Sequence, residues 1–272
     1  MTSSYRWEEV ALDAPAKLTL SLHVTGARAD GYHFLDAEMV AIDLVDTLCF
    51  SPGDALEVVD AGGGGAGWGM AEVPAGESNL VRRALAAIGF KAHVRLFKRI
   101  PAGAGLGGGS ADAAAVLRWG ERVGNPPGAD LLAIAAQLGA DVPFCLTGGA
   151  RARVTGTGEV LEPLPLGDAG GQAYTLLTPP FGVSTAAVYR AWDEMGGQSR
   201  GEVNDLEQAA LIVEPRLAIW RDRLAQATSL EPVLAGSGST WFVRGEYPEA
   251  GRVVRVTPTI DKTASGSARC RP

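Results

Sequence analysis

Residues 98–116 read KRIPAGAGLGGGSADAAAV, and the reading of this stretch decides the fold. Ahead of it, 92–100 (AHVRLFKRI) has the pattern of a strand. Behind it, 110–122 (SADAAAVLRWGER) is Ala-rich and free of helix breakers until Gly120. A strand, a glycine-rich loop and a helix in that order aim backbone N–H groups and the positive end of a helix dipole at one point, which suits an anion. Glycine lets the chain approach phosphate oxygens without a Cβ and adopt positive φ. This is no Walker A loop, because no GK[ST] follows. It also lacks the βαβ setting and trailing acidic residue of a dinucleotide fingerprint. Phosphate binding is the functional reading; a purely structural glycine turn is the alternative.

Glycine accounts for 36 of 272 residues, against a usual share of about 7%. Much of the excess sits in two clusters, six residues within 61–70 and five within 102–110. The first has no charged anchor and no helix directly behind it, so it reads as a variable hairpin tip. An apolar fraction of 46% with 20% charged residues supports a packed core rather than disorder. The net charge of −7 argues against nucleic acid as the main partner. Cys49, Cys145 and Cys270 form no CxxC pair, so neither a disulfide framework nor a zinc ribbon is expected. His23, His33 and His93 are too scattered to suggest a metal site. The N-terminus lacks the apolar core of a signal peptide, and no run approaches the roughly 18 apolar residues of a membrane span. A cytoplasmic protein without a membrane partner is the expectation. Only four of 24 basic residues are lysines (Lys17, Lys91, Lys98 and Lys262), which draws attention to sites where a compact ammonium is needed.

Working outward, Leu18, Leu20, Leu22 and Val24 alternate with other positions in a strand over 14–25, followed by a turn at 26–33 and a strand pair over 34–50. A helix is expected at 79–89 with Asn79 near its N-cap, and another at 129–138. Strands are expected at 144–154 and 159–164. The stretch 167–172 (GDAGGQ) reads as a linker. Beyond it come a strand at 173–178, helices near 184–195, 204–212 and 215–227, the segment 233–243, and a fraying tail from Thr257. Interleaved strands and helices with hairpin and crossover spacings predict an α+β chain of two domains, 1–166 and 167–272.

Three more segments carry polar groups of interest. Lys17 opens an apolar strand in APAKL (14–18), where it either snorkels or faces an anion or carboxylate. Asp141 in GADVPF (139–144) is either a turn former or a positioned base. AGSGST (235–240) is an ordinary turn or a second anion nest.

The order of these segments resembles the GHMP kinase superfamily. APAKL at 14–18, TGARADGYH at 25–33, NLVRRA at 79–84, KRIPAGAGLGGGSADAA at 98–114, GADVPF at 139–144 and GVSTAAVY at 182–189 narrow it. Together they are similar to the branch that acts on 4-diphosphocytidyl-2-C-methyl-D-erythritol. The likeness runs from about residue 14 to 243, and RADGYH is its most discriminating part. It implies the two-domain GHMP kinase fold, with a ribosomal protein S5 domain 2-like N-terminal domain and a ferredoxin-like C-terminal domain. It implies ATP-dependent phosphorylation of the substrate's 2-hydroxyl in the non-mevalonate route to isoprenoid precursors. In that role Asp141 is the general base and Lys17 its electrostatic partner. Pro101, Gly103, Gly105, Leu106, Gly107, Gly108, Gly109 and Ser110 cradle the ATP phosphates, while Asn79, Leu80 and Lys98 surround adenine. Tyr32 and Tyr189 sandwich the cytosine, a contact worth about 1–3 kcal/mol per base. His33 bonds its edge, and Thr185 and Gly238 lie on the substrate side.

Two departures from the family pattern matter. Thr19 stands where the family often has Asn, which puts a direct substrate contact there in doubt. Gly108 and Gly109 replace serines that help other superfamily members hold magnesium, so Mg²⁺ is expected with ATP but no protein ligand is named. The competing readings are another GHMP kinase with a different alcohol substrate and a non-catalytic nucleotide-binding protein on the same fold. Retention of both Lys17 and Asp141 speaks against the second. A monomer and a homodimer are both open.

Overall fold

Two long antiparallel strands, β1 (Val10–Ala27) and β2 (His33–Ser51), form the spine of the computed structural model. The model describes residues 10–62, 73–124, 130–147, 149–167, 170–198, 203–257 and 270. The strand pair expected over 34–50 is therefore one continuous strand. Its register against β1 shifts between Pro15 and Lys17, Thr19 and Ser21, and Val24 and Gly26. Such irregularities bend and twist a strand without ending it. The far edge of β2 is divided: β5 (Arg151–Gly156) pairs with its first part and β4 (His93–Lys98) with its last. β3 (Ala55–Asp60) lies parallel to β4, and β6 (Val160–Pro163) antiparallel to β5.

Four helices accompany this sheet: α1 (Leu80–Ala87), α2 (Gly108–Arg122), α3 (Leu131–Leu138) and α4 (Val142–Thr147). α2 is buried from Ala111 to Gly120. Its small Ala111, Ala113, Ala114 and Ala115 let it sit against β1 and between the other helices. Trp119 stacks on Phe50 with ring centroids 4.8 Å apart, each ring contributing about 1.5–3 kcal/mol by burial. α4 corrects the strand expected from residue 144. Pro143 is tolerated in the first turn of a helix, and the Cys145 N–H donates to the Asp141 carbonyl at 3.2 Å, closing that turn.

The second sheet runs β10-β7-β9-β8, all antiparallel. Its strands are β7 (Ala173–Leu177), β8 (Val233–Leu234), β9 (Trp241–Arg244) and β10 (Arg252–Arg255). Helices α5 (Thr185–Glu194), α6 (Glu207–Val213) and α7 (Leu217–Thr228) complete it. The two sheets share an apolar core: Leu18, Val40, Ile42 and Leu44 pack with Tyr174, Leu176, Phe242 and Val254. Buried Asn204 pairs with Leu22 in a backbone bridge, and its side-chain amide donates to the Leu234 and Gly236 carbonyls at 2.8 and 2.7 Å. The late Gly/Ser loop is thereby fastened beside β1, the strand that carries Lys17.

A disulfide joins Cys49 to Cys270 across a sequence separation of 221, which overturns the expectation of none. The absence of CxxC excludes a local motif but says nothing of cysteines that folding brings together. Cys270 is buried beside Ala11 and Phe97, and the Arg95 guanidinium donates to its carbonyl at 3.1 Å. The rest of the expected fraying tail from 258, most of the glycine tract at 61–70, and residues 1–9 lie outside the described residues. Among the described residues no helix is long and apolar enough to cross a membrane.

Candidate active site

Four segments, 101–107, 78–79, 140–141 and 236–237, meet near the N-terminus of α2 and enclose a cleft of about 470 Å³. The first is 101–107. Gly103, Gly105 and Gly107 all have positive φ, at 71°, 77° and 68°. A Cβ at Gly105 would lie 2.3 Å from the Ala235 carbonyl oxygen, and one at Gly107 only 2.8 Å from Lys17 Cγ. Glycine here is a packing requirement as well as a conformational one. Thr240 N–H donates to the Ala104 carbonyl at 3.1 Å, and Val183 N–H to the Gly103 carbonyl at 3.4 Å. The loops at 235–240 and 182–184 thus brace the first from behind. Gly107 is the N-cap of α2 in the left-handed region and offers no side-chain cap. The first-turn N–H groups of the helix therefore remain available to an anion at the positive end of its dipole.

Lys17 enters this cradle from β1. Its side chain is buried, and its ammonium lies 3.4 Å from Asp141 Oδ2 and donates to Thr19 Oγ1 at 3.0 Å. Its backbone N–H donates to the Leu106 carbonyl at 3.0 Å, so strand and loop are fixed to each other. Thr19, itself buried, anchors the lysine. Asp141 stands at the start of α4 with its side chain 30% exposed, enough to meet a ligand in the cleft.

Lys98 is placed differently from Lys17. It is buried below the loop and donates to Asp46 Oδ2 and, at 2.8 Å, to Asp112 Oδ2. Burial opposes the lysine's charge, but the two carboxylates outweigh it and hold the ammonium above its usual range. Burial pushes the Asp112 carboxyl up to about 7, opposed by Lys98 and reinforced by Asp46. Asp46 also accepts from the Ile100 N–H at 2.9 Å, which fixes the segment entering the loop. Lys98 is therefore a buttress beneath the cradle as much as a wall of it. Asn79 caps α1, accepting from the Val81 N–H at 2.9 Å, and lines the cleft with Leu80, Pro101, Gly108, Gly109 and Ser110.

On the other side of the cleft lie Thr185 and Tyr189 of α5. Thr185 Oγ1 and Ser237 Oγ are 2.8 Å apart. Tyr189 is half-buried, and desolvation of its ring end together with nearby Asp141 raises its phenol. His33 stacks on Tyr189 with centroids 4.7 Å apart and places Nε2 2.8 Å from Asp193 Oδ1. Tyr32 is 65% exposed at the β1–β2 turn, with Arg28 over its ring. The fold thus brings His33, not Tyr32, against Tyr189. Gly238 packs its carbonyl behind Gly105, while Gly236 and Ser237 line the cleft itself. Asp46, Asp112 and Asp193 are not among the site residues read from sequence, whereas Ser237 falls in the 235–240 loop and Thr19 at the family's Asn position, both noted there. Asp193 follows Tyr189 by one helical turn, a spacing that places both on one face of α5. Among the described residues no three His, Cys, Asp or Glu side chains gather as a metal site.

Residues 79–149 match the GHMP kinases N terminal domain. The chain is 36% identical over 265 residues to the 4-diphosphocytidyl-2-C-methyl-D-erythritol kinase of Paramagnetospirillum magneticum, covering 88% of this chain and 89% of that protein. It is 40% identical over 264 residues to the enzyme of that name from Pelotomaculum thermopropionicum, covering 84% and 86%. It superposes on a crystal structure of 4-(cytidine 5'-diphospho)-2C-methyl-D-erythritol kinase with a TM-score of 0.68 and 33% identity, covering 90% of this chain and 98% of that one. With its α+β GHMP kinase fold, the chain is an ATP-dependent small-molecule kinase and belongs to the 4-diphosphocytidyl-2-C-methyl-D-erythritol kinase family.

Proposed function

We propose that this kinase transfers the γ-phosphoryl group of ATP to the 2-hydroxyl of 4-diphosphocytidyl-2-C-methyl-D-erythritol, a step toward isoprenoid precursors. The carrying observation is the Lys17–Asp141 pair, 3.4 Å apart at the edge of the glycine cradle. Phosphoryl transfer through a loose transition state demands in-line positioning and charge stabilisation rather than covalent chemistry. Asp141 accepts the proton of the attacking hydroxyl. Lys17 neutralises charge on the group in transit, and Thr19 keeps the ammonium aimed. The first turn of α2 and loop 101–107 hold the phosphates, with adenine toward Asn79 and Leu80. Magnesium would arrive on the ATP phosphates, with water completing its shell. That ion would supply further neutralisation of the phosphates.

Specificity for the cytidyl group rests on the 30–33 turn and α5. Asp193 engages Nε2 of His33, leaving Nδ1 for a base edge, while the Tyr189 ring offers a stacking surface and Tyr32 is free to close from the solvent side. The proposed division into domains at 166/167 is supported by its position between β6 of the first sheet and β7 of the second. A coupled ADP-release assay tests the assignment, with turnover expected on the cytidyl substrate and none on mevalonate. Asp141→Asn should lose turnover by the 10²–10⁴-fold typical of a general base, with ATP affinity nearly unchanged. Wild-type turnover in that variant would refute the assigned base.

A further inference from the structure

We propose that Arg118 is a positioning residue that sets the spacing of the Lys17–Asp141 pair; the inference rests on the roles given above to those two residues. Arg118 lies on α2, away from the cleft, and is 5% exposed. Its guanidinium donates from Nη1 to the Cys145 carbonyl at 2.7 Å and from Nη2 to the Asp13 carbonyl at 3.0 Å. Cys145 lies on α4 four residues after Asp141, and its N–H closes the helical turn on the Asp141 carbonyl. Asp13 lies on β1 four residues before Lys17. One planar group therefore ties together the helix that presents the carboxylate and the strand that presents the ammonium.

A guanidinium suits the task because it can hold two acceptors in a fixed fork, which an ammonium on a flexible stem cannot. Both of its acceptors are main-chain carbonyls, so the tie acts on the backbone of each element rather than on a mobile side chain. Burial costs this charge heavily. It lowers the guanidinium to about 10, opposed by Cys145 and Asp13 and reinforced by Arg122, while apolar packing alone could have filled the same space on an otherwise Ala-rich helix. The charge is thus retained in a place where it destabilises unless it holds something. What it holds is the geometry between β1 and α4. Displacements near 1 Å in a reacting constellation cost about a hundredfold in rate.

The test uses the full-length enzyme. Arg118→Met removes both bonds at similar volume, and Arg118→Lys keeps the charge but satisfies one carbonyl poorly. Thermal unfolding and ATP-analogue titration first establish the folded, nucleotide-binding fraction. Per folded molecule, we expect kcat about 10- to 100-fold lower in Arg118→Met, KM for ATP and for the cytidyl substrate within about twofold of wild type, and an intermediate kcat in Arg118→Lys. A role confined to stability would lower the melting temperature and leave kcat per folded molecule intact, and that result overturns the proposal. If Arg118→Met does not fold, the Lys variant decides: an unchanged kcat refutes the tie. Asp141→Asn measured in parallel separates the two inferences. Loss of turnover there with full kcat in the Arg118 variants refutes only the positioning role, while retained turnover there refutes the base assignment itself.

Discussion

Two of the four lysines in the chain occupy the cleft, and their surroundings give them opposite tasks. Lys17 has one partly exposed carboxylate and one hydroxyl, so its charge remains directed at a ligand. Lys98 has two buried carboxylates and serves the scaffold. The second arrangement carries one more negative than positive charge, and Asp112 Oδ1 has no hydrogen-bond partner among the described residues. That imbalance makes a signed prediction. The Asp112 carboxyl titrates near 3.8 when unperturbed and is raised to about 7 in the folded chain by burial. Between those values the folded state holds a proton that the unfolded state has lost, so stability falls as pH rises through the window. Asp112→Asn removes that dependence. The stability of wild type relative to the variant should decline from about pH 4 to about pH 7 and level off above. Denaturant melts of both proteins at pH 5, 6, 7 and 8 read this directly, and parallel curves would show that Asp112 ionises normally.

The loops obey a rule at the level of elements: where three of them converge, side chains are excluded. Gly105 stands at φ 77° with the Ala235 carbonyl in the place of its Cβ. Gly89, after α1, has φ 69° but open space around it. Both Ala variants bear the left-handed backbone cost of about 1–2 kcal/mol; only the first must also separate the phosphate loop from the 235–240 loop. Gly105→Ala should therefore raise the KM for ATP about tenfold or more and lower the melting temperature further than Gly89→Ala, which should leave that KM unchanged. Equal KM values would mean the loops part without disturbing the cradle. The same contrast explains what sequence could reveal. The strand–loop–helix of 92–122 was legible because glycines, alanines and caps are local signals, and Asn79 caps α1 as expected. α4 was not, since VPFCLT is a short apolar run, and such runs do not distinguish a buried strand from a helix. The buttress around Lys98 was equally hidden, because Asp46 and Asp112 lie 52 and 14 residues away from it. His33 against Tyr189 was matched to the cytosine site by resemblance, but its contact with Asp193 follows only from the packing of α5 against the hairpin.

Across the whole molecule, the cleft depends on two sheets being held as one unit, and the shared core beneath β1 and β2 does most of this. The Cys49–Cys270 bridge acts elsewhere, fastening a residue near the C-terminus to the end of strand β2 beside β4, whose end leads into the phosphate loop. A bridge that closes so long a loop restricts the unfolded chain, an effect typically worth about 2–4 kcal/mol. Cys145 is the free cysteine, buried in α4, and burial, with Asp141 adding to it, pushes its thiol up to about 12. Its thiolate is therefore scarce at neutral pH, and reaction must await unfolding. Three thiol counts follow for protein purified without reductant. Native protein should react with essentially no thiol reagent, denatured unreduced protein should expose one thiol, and denatured reduced protein three. Reduction should also lower the melting temperature, and Cys270→Ser should match the reduced wild type in stability while keeping kcat, because the bridge lies outside the cleft. Three reactive thiols in the denatured, unreduced protein would eliminate the bridge as a feature of the folded enzyme, and a loss of kcat in Cys270→Ser would place the C-terminal segment in control of the phosphate loop.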